Sequence, residues 1–173
     1  VESIRAWYTT VNQALKKLGY ASIPWPQFQK DFGQGTQADI EKYMNGKEKP
    51  HRIEKLYESL FVKNIQWIKP NPGAGALLTR LRFEGIKTAC VTNSNRRLAR
   101  ATLSHCGLRS ALDCVVTGSD VPHHKPHPAM VLKALKELKA RASETVMVGD
   151  SVFDAKAAKA ARVPFIAFGK KLP

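Results

Sequence analysis

The stretch Val146-Met147-Val148-Gly149-Asp150-Ser151-Val152-Phe153-Asp154 carries the pattern that decides the fold. Its apolar start predicts a short buried strand over 145–148, and a helix is predicted to follow. Gly149 allows the backbone to turn sharply between the two. In open α/β sheets, ligands bind at the carboxyl ends of the strands. The stretch therefore predicts a strand, a turn and a helix that bring Asp150 and Asp154 to a binding edge.

The same alternation of short apolar strands and amphipathic helices extends over the C-terminal part of the chain. The predicted strands cover 87–91, 113–117, 145–148 and 164–168, and the predicted helices cover 75–83, 96–105, 128–139 and 152–161. Such an alternation is typical of a parallel sheet that helices cover on both faces. We therefore predict an α/β core with a doubly wound parallel sheet over residues 70–173.

The N-terminal part of the chain contains a helical pattern and no convincing strand. Apolar residues recur at helical spacing from Ile4 to Leu18, and Gly19 is placed to end that helix. Shorter helices are predicted over 27–32, 36–44 and 52–64. The composition changes at the proline-rich stretch 69–73. We therefore predict a helical subdomain, residues 1–69, ahead of the core.

The charge of the chain keeps a polyanionic partner in consideration. Lys and Arg number 28 against 14 acidic residues, which gives a formal net charge of +14. The basic residues are dispersed over the polar sides of predicted helices rather than clustered, and this favours a solvated surface over a groove for RNA or DNA.

The cysteines and the hydropathy indicate the compartment. Cys90, Cys106 and Cys114 are odd in number and show no paired spacing, so neither a disulfide framework nor a zinc site is indicated. No apolar run reaches the roughly 18 residues that a membrane span needs, and no signal peptide opens the chain. These features predict a cytoplasmic protein without a membrane anchor.

The first candidate site follows the strand predicted over 87–91. Thr92 offers a hydroxyl, Asn93 an amide, and the following helix has free N–H groups at its start. Together these groups suit a phosphate. Simple helix capping would explain the same residues.

The second candidate is Lys125, which lies in a loop stiffened by three prolines, Pro122, Pro126 and Pro128. A lysine held in place can neutralise charge that builds up on a reacting phosphate. The alternative is an exposed lysine in a proline-rich loop. The neighbouring histidines have no carboxylate companion, so we predict that they are exposed or support the site indirectly: His123, His124 and His127.

The third candidate is the carboxylate pair Asp150 and Asp154. The second carboxylate comes four residues after the first, near the start of a helix, so both turn toward the same mouth of the sheet. Carboxylate oxygens are ligands that Mg²⁺ prefers. Capping of the helix is the alternative, and it explains Asp154 better than Asp150.

The three motifs occur in an order that resembles the haloacid dehalogenase-like hydrolase superfamily, with a Rossmann-like core. The motifs are Val91-Thr92-Asn93-Ser94, Lys125-Pro126-His127-Pro128 and Val148-Gly149-Asp150-Ser151 through Asp154-Ala155. The run Gly118-Ser119-Asp120-Val121-Pro122 brings the chain close to the phosphoglycolate phosphatase-like branch. Residues 1–69 resemble the helical cap of that branch.

The resemblance implies an Mg²⁺-dependent phosphatase that acts on a small phosphorylated metabolite through a phosphoaspartate intermediate. By the same resemblance, Thr92 and Asn93 hold phosphoryl oxygens, and Lys125 offsets charge on the nucleophile and the phosphate. Asp150 helps to bind Mg²⁺, and Asp154 supports that site.

The nucleophile of that family is missing from this sequence. It is the first aspartate of an Asp-x-Asp motif at the end of a central strand, and Asp31, Asp39 and Asp113 do not stand in such a motif. We therefore expect a truncated chain that is inactive alone, with its central first strand cleaved off, omitted or supplied by another chain through strand exchange or in a homodimer.

Two other functions remain open at this point. The charge and the missing nucleophile suit a non-catalytic module that binds RNA or an acidic partner. A phosphomutase or a phosphonate hydrolase could use the same scaffold, and that choice would depend on cap positions Trp25, Phe32, Gly33, Gln34, Gly35 and Tyr43.

Overall fold

A computed structural model describes residues 1–33 and 35–169 of the chain. Gln34, one of the cap positions named above, and residues 170–173 lie outside the described residues. The chain divides into two compact units, an N-terminal unit over 1–72 and a C-terminal unit over 73–173.

Helices form the N-terminal unit. They are α1 (Ile4–Leu18), α2 (Trp25–Asp31), α3 (Thr36–Tyr43) and α4 (Pro50–Lys63). Two of them begin two residues earlier than the sequence predicted, because Pro26 and Pro50 lie in the first turns of α2 and α4. A proline in the first turn sacrifices no helical hydrogen bond, so these prolines start helices instead of preceding them.

The N-terminal unit is built around its own apolar core. Leu15, Ile40 and Ile53, from α1, α3 and α4, are almost completely buried. The ring of Trp7 packs against Phe61 with 4.5 Å between the ring centroids. The two ends of the unit are joined by an antiparallel bridge between residues 2 and 69, whose two N–H···O bonds measure 2.8 and 3.2 Å.

Two carboxylates hold α3 to its neighbours. Asp31 on α2 is buried and accepts hydrogen bonds from Lys42 and Tyr43 on α3. Asp39 on α3 accepts one from the hydroxyl of Tyr57 on α4, at 3.1 Å. The short helix α3 is thus fixed by polar bonds on both sides.

The C-terminal unit alternates helices and strands, and the expected α/β class is confirmed. Its elements are α5 (Ala74–Phe83), β1 (Ala89–Thr92), α6 (Arg96–His105), β2 (Cys114–Thr117), α7 (Ala129–Leu138), β3 (Met147–Gly149), α8 (Val152–Ala160) and β4 (Phe165–Ala167). Strand β1 pairs with β2, and β3 pairs with β4, both in parallel register. The described strands form two separate two-stranded sheets, and neither strand of one sheet pairs with a strand of the other.

Helix α7 joins the two sheets. One side of it, with Met130 and Ala134, packs into a cluster with Val116 of β2. Another side, with Val131 and Leu135, packs into a second cluster with residues of α8 and β3. Because residues three or four apart share a helical face, one helix can serve both sheets at once.

The structure also describes the cysteines and the helix lengths. All three cysteines are free thiols. Among residues 1–33 and 35–169, no helix combines the length and the apolarity that crossing a bilayer requires.

The carboxyl of Asp39 provides a test of the N-terminal unit. The pKa of this carboxyl is raised to about 6, because burial and the charge of Asp31 raise it more than the hydrogen bond from Tyr57 lowers it. The folded state therefore binds more protons than the unfolded state between pH 4 and 6. Its free energy of unfolding falls as the pH rises through that window, and the loss persists above pH 6.

We expect Asp39→Asn to be more stable than the wild type above pH 6. The shift of the pKa sets an upper limit of about 3 kcal/mol on the gain, and the gain should stay below this limit because the side chain is partly exposed. Near pH 3 the difference should vanish. Urea unfolding followed by tryptophan fluorescence measures this unit, because all 3 tryptophans lie in it. The exposed Glu41→Gln is the matched control, and equal pH dependence in both variants would contradict the prediction.

Candidate active site

Lys125 is held at the carboxyl end of β1. Its ammonium donates to the carbonyl oxygen of Val91, at 2.8 Å, and to Oδ1 of Asp154, at 2.7 Å. The two side chains of this ion pair are only 11% and 9% exposed. Lys125 is thus a fixed and nearly buried charge, which excludes the alternative of a freely exposed loop lysine.

Asp154 is oriented by the start of its own helix. Its Oδ2 accepts hydrogen bonds from the hydroxyl of Ser151, at 2.6 Å, and from the N–H of Ser151, at 3.2 Å. In return, the N–H of Asp154 donates to the hydroxyl of Ser151, which completes a capping box. This arrangement turns Oδ1 toward Lys125.

Gly149 makes room for that carboxylate at the end of β3. A Cβ atom at this position would lie 2.6 Å from Cβ of Asp154 and 2.9 Å from its Oδ2. Since real Cβ atoms do not approach so closely, any other residue would displace Asp154. The glycine that the sequence suggested for a turn is therefore required for packing.

The ion pair changes the pKa of Asp154. Burial alone would raise it, but the charge and hydrogen bond of Lys125 and the hydrogen bonds from Ser151 outweigh burial. The pKa lies below its ordinary value, so Asp154 is ionised at neutral pH. Its contribution to stability is present at neutral pH and is lost in acid.

Asn93 binds the main chain of Lys125. Its Nδ2 donates to the carbonyl oxygen of Lys125, at 3.0 Å, and its Oδ1 accepts from the N–H of Lys125, at 2.9 Å. Both ends of the amide are therefore engaged within the protein. The role in phosphate binding predicted for Asn93 stays a prediction.

Thr92 and Asp150 lie at the ends of β1 and β3. The hydroxyl of Thr92 is half-buried and accepts a hydrogen bond from the N–H of Ser94, at 3.2 Å. Asp150 is exposed, and its side chain makes no hydrogen bond or ion pair with the described residues. Lys125 lies between these strand ends, since it contacts the residue before Thr92 and the helix that follows Asp150.

The described residues fit a magnesium ion only in part. Asp150 offers an unengaged carboxylate, whereas both oxygens of Asp154 are bound to Lys125 and Ser151. Within the described ranges, no group of three or more His, Cys, Asp and Glu side chains could hold a metal. Mg²⁺ in proteins is commonly bound by one or two carboxylates together with substrate phosphate and water. Asp150 could provide one of these carboxylates, and a second would have to come from outside the described residues.

The three histidines of the lysine loop are exposed. The sequence predicted that they are either exposed or support the site indirectly. The ring of His124 lies with Nε2 3.1 Å from the carbonyl oxygen of Gly118. The rings of His123 and His127 lie against each other, with 4.8 Å between centroids. His124 thus supports the loop that carries Lys125.

Sequence reasoning missed two partners of the site. The hydroxyl of Ser151 was detectable, because serine three residues before an aspartate at a helix start is a capping-box pattern. The carbonyl of Val91 was not, because a backbone acceptor leaves no trace in the identity of its residue.

A double-mutant cycle tests whether Lys125 and Asp154 depend on each other. Removing either charge leaves the other buried and unpaired, so Lys125→Met and Asp154→Asn should each cost about 3 kcal/mol or more. The double variant should cost about 2 kcal/mol less than the sum of the two. Native-state hydrogen exchange of amides in β1 and α8 measures these losses.

The control cycle uses Arg80 and Glu84, an exposed pair at 2.9 Å in the same unit. Their coupling should stay below about 0.5 kcal/mol. A coupling of that small size for Lys125 and Asp154 would mean that the buried pair does not hold the site together.

Comparison with known proteins relates this site to enzymes. Residues 1–168 match the family model for haloacid dehalogenase-like hydrolases. A phosphoglycolate phosphatase of Nitrosospira multiformis is 31% identical over 161 residues, which cover 88% of this chain and 71% of that protein. A phosphoglycolate phosphatase of Rhodobacter capsulatus is 29% identical over 174 residues, which cover 97% and 78%.

Solved structures agree on the fold. The crystal structure of CbbY from Rhodobacter sphaeroides in complex with phosphate has a TM-score of 0.84 at 22% identity, over 96% of this chain and 80% of that chain. At this identity the likeness concerns the fold alone. The family match covers nearly the whole chain, so the protein belongs to the haloacid dehalogenase-like hydrolases, in their phosphoglycolate phosphatase-like branch, and is by family a phosphoric monoester hydrolase.

Proposed function

We propose that this chain carries the charge-stabilising part of a Mg²⁺-dependent phosphatase that hydrolyses a small phosphorylated metabolite through a phosphoaspartate intermediate. The observation that carries the proposal is the position of Lys125, whose nearly buried ammonium is held at the end of β1 by Val91 and Asp154. A fixed cation in a partly dry site stabilises developing negative charge much better than a mobile surface lysine.

Four of the predicted site residues have a role in this proposal. The hydroxyl of Thr92 and the N–H groups at the start of α6 bind phosphoryl oxygens. Lys125 offsets charge on the phosphate and on the attacking carboxylate. Asp150 provides one ligand for Mg²⁺, which, when bound, supplies Lewis-acid stabilisation of the phosphate. Asp154 keeps Lys125 in place.

The nucleophile comes from a strand outside this sequence, which we place between β1 and β3. Two observations support this: the two sheets share no hydrogen bonds, and Lys125 lies between the ends of β1 and β3. An Asp-x-Asp strand there would receive backbone bonds from both neighbours and bring its first carboxylate toward Lys125. Such a strand could precede Val1 in the same protein or come from a second chain.

The relatives suggest which substrate to try. Those from Nitrosospira multiformis and Rhodobacter capsulatus are named phosphoglycolate phosphatases, so we propose phosphoglycolate as the first substrate. Nucleic acid is less favoured as a partner, because several arginines are paired with acidic side chains, including Arg52 with Glu48 and Arg96 with Asp120.

The test is phosphate release from phosphoglycolate and a panel of small phosphomonoesters by residues 1–173 joined to an N-terminal Asp-x-Asp strand. Turnover should require Mg²⁺ and disappear with a chelator. Lys125→Ala should reduce kcat by about 100-fold or more. Asp150→Asn should raise the Mg²⁺ concentration that gives half-maximal activity.

Lys156→Ala is the matched control, since this exposed lysine on α8 lies outside the site, and its activity should equal that of the parent. If the joined protein is folded and releases no phosphate from any substrate, the phosphatase proposal fails. Tight RNA binding that weakens steeply with salt would then favour the binding module.

A further inference from the structure

We infer that the side-chain amide of Asn93 serves to position Lys125 rather than to bind the phosphoryl group. The sequence suggested the opposite, because an amide directly after a strand end is well placed for a phosphate. The candidate site depends on Lys125, and the role of Lys125 in catalysis rests on the proposed function.

The carboxamide of Asn93 uses both of its polar atoms on one residue. Nδ2 donates to the carbonyl oxygen of Lys125 and Oδ1 accepts from its N–H, at 3.0 and 2.9 Å. Two antiparallel bonds to a single residue fix its orientation as well as its distance, as a backbone bridge does. The lysine loop is thereby attached to the end of β1, although 32 residues separate the two partners in the chain.

The same strand end also holds the other end of the lysine. The ammonium donates to the carbonyl oxygen of Val91, two residues before Asn93. Backbone and side chain of Lys125 are therefore both anchored to β1, and Asp154 adds a third contact from α8. Removal of the Asn93 bonds would leave the side chain held at its tip but free at its base.

Packing supports this attachment. A Cβ atom on Gly118 would come within 2.6 Å of the carbonyl oxygen of Asn93 and 3.0 Å of the ring of His124. The segment before the lysine therefore lies directly against Asn93. One N–H of Nδ2 stays unused by these two bonds, but the orientation of the amide is set by the main chain of Lys125 and not by a ligand.

The experiment measures how fast Lys125 reacts with a small amine-acylating reagent, read peptide by peptide by mass spectrometry, in the chain without substrate. We expect slow labelling of Lys125 in the wild type and labelling about five- to tenfold faster in Asn93→Ala, because two hydrogen bonds no longer close the loop. Asn93→Asp can accept from the N–H of Lys125 but cannot donate to its carbonyl, so it should be intermediate. Asp154→Asn should also label faster.

Two controls separate positioning from loss of folding. Ser94→Ala changes the neighbouring side chain and should label like the wild type. Lys87, an exposed lysine whose ammonium donates to the carbonyl oxygen of Leu138 at 2.8 Å, lies in the same unit and should label at the same rate in every variant.

An unchanged labelling rate of Lys125 in Asn93→Ala, with the labelling rate of Lys87 also unchanged, would overturn the inference. Inorganic phosphate gives the second measurement, by titration of the wild type and of Asn93→Ala, which introduces no charge. A direct ligand role predicts that phosphate binds more weakly to Asn93→Ala even when Lys125 labels as slowly as in the wild type, and that result would also overturn it. Failure of the phosphatase assay would leave the labelling result standing, so the two proposals fail separately.

Discussion

The ion pair between Lys125 and Asp154 joins two sheets that share no backbone hydrogen bond. Lys125 reaches it from the loop between β2 and α7, held against the end of β1, and Asp154 from the first turn of α8, beyond β3. Because both side chains are nearly buried, neither charge is satisfied by water, and each makes the other necessary. The geometry of the strand ends therefore depends on this one contact more than on any other polar contact described in the C-terminal unit.

Helix α7 supplies the apolar counterpart of that link. Its Met130 side packs with β2 and its Val131 side with α8 and β3, so the two sheets are held along one face while the ion pair holds them at the carboxyl edge. A single helix can set the distance between the sheets but not the rotation of the strand ends. The directional bonds of Lys125 and Asp154 add that constraint, which explains why the packing and the polar contacts occur together.

Helices and strands were predictable from the sequence where the periodicity of apolar residues determines them. Contacts between residues that lie far apart in the chain were predicted poorly. Helix α6 was predicted over 96–105 and runs from Arg96 to His105, because its apolar face repeats clearly. The starts of α2 and α4 were predicted late because a proline can either break a helix or begin one. The contacts of Asn93 were not predictable, because an amide suits a phosphate and a peptide group equally well and only the fold brings Lys125 beside it.

The number of donors on Lys125 indicates what the site is prepared to do. An ammonium has three N–H donors, and Val91 and Asp154 accept from two of them. No third acceptor for Lys125 occurs among the described residues. Since two bonds fix a tetrahedral group, the direction of the remaining donor is set before any ligand arrives. A phosphoryl or carboxylate oxygen that binds it meets a preorganised charge, and that is the form in which electrostatic stabilisation is most effective.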